Sequence, residues 1–264
     1  MTTLGSDILQ IQNSHEAELA RQNSSYAAFR DNRLVYPQTP EIKPTALLSF
    51  VHDSFRALVL NAQFSCVGAK SAIQTGSYRI GHYAELASPG ATAGLARDLN
   101  AFIQEQPLME GEFSTLIATF TGPVGTNEEE FERLLWNQLQ KLHDLDFRQH
   151  RWDPAVSDDP NDPHFSFSFA EHGFFVVGLH PASSRFTRRF AWPTLVFNIH
   201  SQFEALRASG RFERMQDVIR KRETNLQGDI NVNLANFGER SEARQYSGRP
   251  VAGDWRCPFV VHRA

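Results

Sequence analysis

The chain is poor in cysteine and has no long apolar run. Only 2 of its 264 residues are cysteine. No stretch approaches the roughly 20 apolar residues that a transmembrane helix needs. Residues Met1 to Gln10 lack the basic and apolar regions of a secretory signal. We therefore expect a cytoplasmic protein with no membrane partner and no structural disulfide framework.

An excess of positive charge is also absent. The formal net charge is -4 and the sequence pI is about 6.2, so the chain lacks the electrostatic footprint of a nucleic-acid-binding protein. Tyrosine is scarce, with 5 residues, whereas phenylalanine contributes 21. Because phenylalanine buries a large area without requiring a hydrogen bond, this bias indicates a dry interior or an apolar pocket.

The common catalytic motifs are missing. The sequence contains no P-loop, no GxGxxG after a predicted strand, no HExxH and no GxSxG. Cys66 and Cys257 are too far apart to form a local CxxC pair. An enzyme of this sequence would therefore use a less common type of site.

The first 44 residues read as an N-terminal arm, followed by a single α+β domain over residues 45–264. Polar residues and the prolines at 37, 40 and 44 limit regular structure in the arm, although Asp7 to Arg21 could form a short helix. Apolar residues at helical spacing then predict helices from Thr45 and over Ala91 to Gln106.

The middle of the chain predicts a strand and a capped helix. Phe113 to Phe120 is a short apolar run bounded by glycine and proline, which is typical of a buried strand. Asn127 precedes three glutamates and can cap the next helix, whose apolar face includes Phe131 and Leu135. Arg151 to Pro163 is rich in proline and aspartate and predicts a surface loop.

The following segment predicts a hairpin, a strand and two helices. Phe165 to Phe169 alternates phenylalanine with serine, as a half-buried strand does, and a turn at Glu171-His172-Gly173 leads to a strand over Phe174 to Leu179. Thr194 to Ile199 is a further strand. The helices follow, one opened by a Ser201–Glu204 capping box and stopped by Gly210, the other over Arg211 to Arg222. This order is not a regular βαβ alternation, so we predict an antiparallel or mixed sheet with helices packed against it.

Reactive side chains collect at the ends of these predicted strands. His180 follows a strand and precedes Pro181, where it could ligate iron or simply bond to the backbone. Arg185, Arg188 and Arg189 alternate with aromatic residues, and either hold an anion through forked hydrogen bonds or form a solvated basic loop.

The C-terminal residues add one thiol. Cys257 lies between Arg256 and Pro258, where it could present a thiolate to a metal or be a small buried residue. A polar segment precedes it over Ser241 to Arg249, which is either a functional loop or a surface connection.

Several of these segments together resemble a known family. Cys257-Pro258-Phe259, Glu242, Gln245-Tyr246-Ser247-Gly248-Arg249 and Gly178-Leu179-His180-Pro181 resemble the YqcI/YcgG family, also called the FPC/CPF-motif proteins. The resemblance extends from about Phe55 to Phe259. One departure is that the family's first motif, Phe-Pro-Cys, reads Phe64-Ser65-Cys66 here, so the local backbone and the substrate preference can differ.

The resemblance implies a haem-dependent monooxygenase. Characterised members of the family are N-hydroxylases that oxidise a guanidine nitrogen of arginine or an arginine-like amino acid with dioxygen and two electrons from a donor. It implies haem b iron as cofactor. Haem-binding residues are expected at His180, Arg185, Arg188, Arg189 and Tyr246, substrate-binding residues at Glu242 and Gln245, and catalytic residues at His180 and Cys257.

The axial ligand of the iron is open between two chemistries. A thiolate favours O–O cleavage, which supports Cys257, whereas the strand-end position and the Gly-Leu-His-Pro match support His180. We favour His180 as the metal ligand, and other histidines remain as alternatives. These are His52, His164, His172 and His200.

Two other functions are consistent with the same residues. A haem carrier or sensor would use the same pocket without turnover, and a thiol redox protein would use Cys66 and Cys257. The N-terminal arm would either cover its own pocket or reach a neighbouring subunit of a homodimer.

Overall fold

A computed structural model describes residues 13–229 and 238–263, and it contains eight α-helices within those ranges. Their bounds in chain order are α1 Glu18–Asn23, α2 Ala46–Leu60, α3 Val67–Thr75, α4 Pro89–Glu105, α5 Glu128–Asp146, α6 His200–Ala208, α7 Phe212–Gln227 and α8 Ala243–Tyr246. Within these ranges, no helix combines the length and the apolar character that crossing a membrane requires.

Seven strands form one mixed sheet. Their bounds are β1 Ala27–Arg30, β2 Arg33–Val35, β3 Tyr78–Tyr83, β4 Thr115–Phe120, β5 Phe167–Phe169, β6 His172–Leu179 and β7 Thr194–Ile199. The strand order is β2-β1-β3-β4-β7-β6-β5, in which β3 and β4 pair in parallel and every other pair is antiparallel. The predicted α+β class with helices against a mixed sheet is confirmed.

Part of the segment that was expected to form an N-terminal arm belongs to the sheet. β1 and β2 form a hairpin that pairs with β3 at the edge of the sheet, so residues 27–35 belong to the same fold as the rest of the chain. Asp31 and Asn32 adopt positive φ angles in the tight turn between them, a conformation that Asn and Asp tolerate better than most residues. The helix predicted from Asp7 begins outside the described residues, and α1 covers only Glu18–Asn23.

Each face of the sheet carries its own apolar core. Side chains alternate along a strand, so Phe174 and Val176 of β6 face α4 and α5, whereas Val177 and Leu179 face α2 and α3. The α4–α5 side holds the larger core, which includes most of the buried phenylalanines. The two faces therefore provide separate environments for the functional side chains.

Local capping explains where the main helices begin. The Thr45 side chain accepts a hydrogen bond from Leu48 N at the start of α2. Asn127 caps α5, as predicted, and it forms a reciprocal capping box with Glu130. The strands predicted at Phe113 to Phe120, Phe174 to Leu179 and Thr194 to Ile199 are also confirmed, to within two residues at each end.

Two local predictions are wrong. Ser166 and Ser168 are buried, not half-exposed, because Ser166 bonds to Glu242 and Ser168 accepts a hydrogen bond from Asp153 N. Ser201 does not cap α6, because β7 runs directly into that helix with Ile199 as the N-cap residue.

Candidate functional site

An apolar cavity of about 300 Å³ lies between the sheet and the helices α2, α3 and α7. Its floor is formed by the side chains of β4, β6 and β7 that face α2 and α3, including Ile117, Val177 and Val196. A volume near 300 Å³ is at the small end of the range of ligand pockets, about 300–1,000 Å³. The position on a rigid sheet floor is suited to holding a ligand in one place.

Phenylalanine forms much of the wall of this cavity. Six phenylalanines line it, and they come from six separate helices, strands or connections. They are Phe55, Phe64, Phe113, Phe175, Phe203 and Phe212. The phenylalanine bias of the composition is thus concentrated partly around a pocket, where flat aromatic surfaces can cover a planar apolar ligand.

The thiol of Cys66 lines the cavity at the N-terminus of α3. Cys66 is the N-cap residue of this helix, and its Sγ accepts a hydrogen bond from Ala69 N at 3.4 Å. Burial raises the pKa of the thiol, while the neighbouring backbone N–H groups and the Arg188 charge act in the opposite direction. The free thiol is therefore protonated, and a bound metal ion would displace that proton.

Arg188 lines the same cavity and has only carbonyl partners. Its guanidinium donates hydrogen bonds to the carbonyl oxygens of Gly178, Tyr246 and Gln245 at 3.0, 3.3 and 3.3 Å. Among the described residues no carboxylate lies within ion-pair distance of it. Burial lowers the pKa of Arg188 to about 10, so it stays charged at neutral pH. A buried cation without a carboxylate partner favours an anionic ligand.

Arg185 and Glu223 form the polar edge of the cavity. Arg185 donates to Glu223 at 3.3 Å and also pairs with Asp229, while its Nε is buried without a partner among the described residues. The Glu223 carboxylate additionally accepts hydrogen bonds from Ser65 and Thr187. Glu223 thus joins α7 to the segment before α3 and to the loop after β6.

Comparison with known proteins decides the family. A model of the YqcI/YcgG family matches residues 55–260, which is more than half of the chain. The chain belongs to the YqcI/YcgG family. Searches of curated proteins and of solved structures found no match. The expected family membership is therefore confirmed, whereas the particular activity of the chain is not decided by this match.

The first YqcI/YcgG motif, Phe64-Ser65-Cys66, lies at the cavity. All three of its residues line the cavity, and the serine that replaces the family's proline bonds to Glu223. Sequence reasoning placed Cys66 in this motif and in a possible thiol pair but not among the cavity or ligand residues, and it omitted Glu223 altogether. The retained cysteine in an otherwise altered motif was the signal that could have identified Cys66 as a cavity residue.

His180, by contrast, faces away from the cavity. Its ring is buried and stacks on Phe131 of α5, with ring centroids 4.4 Å apart. Its Nδ1 atom has no hydrogen-bond partner among the described residues, and burial lowers the pKa of the imidazole. The predicted metal ligand is therefore on the opposite face of the sheet from Cys66 and Arg188, because the side chain of His180 alternates with that of Leu179.

The structure also separates Glu242 and Tyr246 from the cavity. The Tyr246 hydroxyl donates to Phe174 O at 2.9 Å and lies 2.8 Å from the Glu242 carboxylate. Glu242 also accepts a hydrogen bond from Ser166, and burial raises its pKa to about 7. These residues, predicted to bind haem and substrate, form a hydrogen-bond network against the α4–α5 core instead.

The remaining predicted site residues divide between the two faces. Gln245 lines the cavity, as Arg185 and Arg188 do. Arg189 is exposed and lies over the Phe186 ring, and Cys257 packs against the α4–α5 core, where burial raises its pKa to about 12. Both cysteines are free. The alternative histidines do not line the cavity either, and they are His52, His164, His172 and His200.

Proposed function

We propose that this YqcI/YcgG protein is a haem-dependent N-hydroxylase that acts on a guanidine nitrogen of arginine or an arginine-like amino acid. The observation that carries the proposal is a phenylalanine-lined cavity that contains one thiol and a half-buried arginine without a carboxylate partner. In this family setting, the group that fits such walls and donors is haem.

The side chains of the cavity fit haem in kind. The walls are apolar, Cys66 supplies a sulfur donor, and Arg185 supplies a cation for a carboxylate such as a propionate. The enclosed volume of about 300 Å³ is at the small end for ligand pockets, so the cavity must widen to hold a porphyrin. When bound, haem would supply the activation of dioxygen.

Cys66 is the residue that we propose as the metal ligand, in place of His180 and Cys257. It is the only cysteine or histidine among the described residues that line the cavity. The N-terminus of α3 stabilises a thiolate through its partial positive charge and its free N–H groups. Cys66 therefore has access to the cavity, and the N-terminus of α3 partly offsets the cost of burying a thiolate there.

Arg188 and Glu223 are the residues that we propose for the two charged ends of the substrate. Arg188 can bind a carboxylate without breaking an existing ion pair, because its present partners are carbonyl oxygens. The Glu223 carboxylate can approach a guanidinium, and it takes the role expected of Glu242. A guanidinium buried without such a carboxylate would be costly.

The proposal is tested by loading and turnover of the full chain. Protein expressed with a haem precursor should contain about one haem per chain and, with a reductant and dioxygen, convert arginine into a product heavier by one oxygen atom, as detected by mass spectrometry. Arg188→Gln should raise the KM for arginine at least tenfold. Arg189→Gln removes a neighbouring arginine that lies outside the cavity, and it should leave the KM unchanged.

Two outcomes would count against the proposal. A preparation that stays colourless after haem addition would exclude the haem-dependent reaction for this chain. A coloured protein that forms no hydroxylated product from arginine or its analogues would instead support the haem carrier or sensor.

A further inference from the structure

A second polar cluster lies at the C-terminal end of α5, on the face of the sheet opposite the cavity. It consists of His15, Asp146 and His150, whose candidate ligand atoms all lie within 4.8 Å of one another. Asp146 Oδ1 is 3.2 Å from His15 Nε2 and 2.7 Å from His150 Nδ1. His15 and Asp146 are buried, and the His15 ring stacks on Phe169.

We propose that His15, Asp146 and His150 bind a divalent transition-metal ion. Two imidazole nitrogens and one carboxylate oxygen form a donor set that suits zinc or iron(II) and is poorly matched to magnesium or calcium. His150 keeps 22% of its side chain exposed, which leaves a route for the ion and a position for a water ligand.

The charge at this end of α5 favours a cation. The last turn contains Asp144 and Asp146 and has no lysine or arginine, and its one basic residue is His143. The C-terminus of a helix carries a partial negative charge of its own, and carboxylates in the last turn add to it. A metal ion would compensate both contributions.

The Asp146 carboxylate and the backbone of His15 are held in place by contacts outside the cluster. Ala170 N donates to Asp146 Oδ2 at 2.8 Å, which leaves Oδ1 directed at the two histidines. His15 N donates to Asn13 Oδ1 at 2.9 Å, and Asn13 Nδ2 in turn donates to Arg97 O of α4 at 2.9 Å. Such outer contacts orient metal ligands in known sites.

The site would tie the N-terminal segment to α5. His15 is 131 residues from Asp146 in sequence and lies before the residues that the family model matches. An ion bound by both would therefore link a part of this chain outside the family match to the C-terminus of a core helix.

The test is metal binding by the full chain, produced without a polyhistidine tag and stripped with a chelator. Titration with Co²⁺ should give visible d–d bands that saturate at about one equivalent per chain, and Zn²⁺ should abolish these bands while Mg²⁺ should not. His150→Ala and Asp146→Asn should each weaken Zn²⁺ binding by at least about tenfold. His172 is exposed, and its Nδ1 atom lies against Ala170 O, so it is near the cluster without belonging to it. His172→Ala should therefore bind the metal ion as the wild type does.

Thermal denaturation provides a second readout that does not depend on haem. Zn²⁺ should raise the Tm of the wild type and of His172→Ala but not that of His150→Ala, because only a native site stabilises the fold. The proposal is overturned if the wild type binds no stoichiometric Co²⁺ or Zn²⁺, or if binding is unchanged in both ligand variants. The cluster would then be a hydrogen-bonded histidine–aspartate group only.

Discussion

At the scale of single residues, alternation along β6 decides which side chains can share a site. Leu179 faces the cavity and His180, the next residue, faces α5. A histidine at a strand end was correctly placed from the sequence, but the face on which it lies depends on the register of the sheet. We therefore propose Cys66, which lines the cavity, as the candidate ligand in place of His180.

Glu242 gives a prediction at the same scale. Its pKa in the folded protein is raised to about 7, from an ordinary value of 4.5, mainly by burial. Between these two pH values the folded state binds more protons than the unfolded state, so the free energy of unfolding falls as pH rises. Glu242→Gln should remove this pH-dependent loss of stability. The free energy of unfolding of the variant should therefore rise, relative to that of the wild type, by up to about 3 kcal/mol as the pH increases from 4.5 to about 7.

Urea denaturation of both proteins at about pH 5 and about pH 8 checks this expectation. Other titrating groups, including Asp98, cancel in the difference between variant and wild type. Glu85→Gln makes the same change on the surface and serves as the control. A stability difference between Glu242→Gln and wild type that does not vary with pH would contradict the account.

At the scale of elements, the helix N-termini show how much of the structure the local sequence determines. The cap predicted at Asn127 forms, because the Asn127 and Glu130 side chains are enough to satisfy free N–H groups at the start of α5. The similar pattern at Ser201 and Glu204 does not cap α6. There the Glu204 carboxylate contacts His200 and Arg207, and the helix begins two residues earlier without a loop.

A pair of substitutions tests this contrast. Asn127→Ala should lower the free energy of unfolding by about 1 kcal/mol, since the hydrogen bond from Glu130 N to the Asn127 side chain is lost. Ser201→Ala should change it by less than about 0.5 kcal/mol, because Ser201 is an exposed residue inside the first turn of α6. Equal losses in the two variants, measured by chemical denaturation, would contradict this assignment of caps.

The contact between β6 and α5 gives a second prediction for elements. A Cβ atom at Gly178 would lie 2.7 Å from Phe131, 2.8 Å from Leu135 and 2.9 Å from the backbone oxygen of Tyr246. Gly178→Ala should therefore destabilise the protein by about 1–3 kcal/mol through overpacking. Gly178 in the Gly178-Leu179-His180-Pro181 motif thus has a packing role, which the sequence match did not reveal.

Gly125→Ala is the matched control for this measurement. A Cβ atom at Gly125 would meet nothing within 4 Å, so alanine there should be neutral or stabilise slightly. If Gly178→Ala has the same Tm as the wild type, the prediction is contradicted, because α5 can then move away from β6 at little cost in stability.

At the scale of the whole molecule, the fold class and most element positions followed from hydrophobic periodicity. The edge hairpin β1–β2 and the two-sided arrangement of site residues did not follow, because both depend on pairing between distant segments. Cys66, Arg188 and Gln245 come from three parts of the chain and meet only when α3, the loop after β6 and α8 pack around one cavity. Sequence motifs identified two of these residues as site residues, whereas their common position required the fold.

The central claim is that Cys66 ligates the haem iron, and the absorption spectrum of the reduced carbonyl complex tests this claim most directly. We expect haem-loaded wild type and Cys257→Ser to share a strongly red-shifted Soret band, which is typical of thiolate ligation. Cys66→Ser should lose that shift or fail to retain haem. A red-shifted band that persists in Cys66→Ser, or a wild-type band at the position typical of imidazole ligation, would contradict the account.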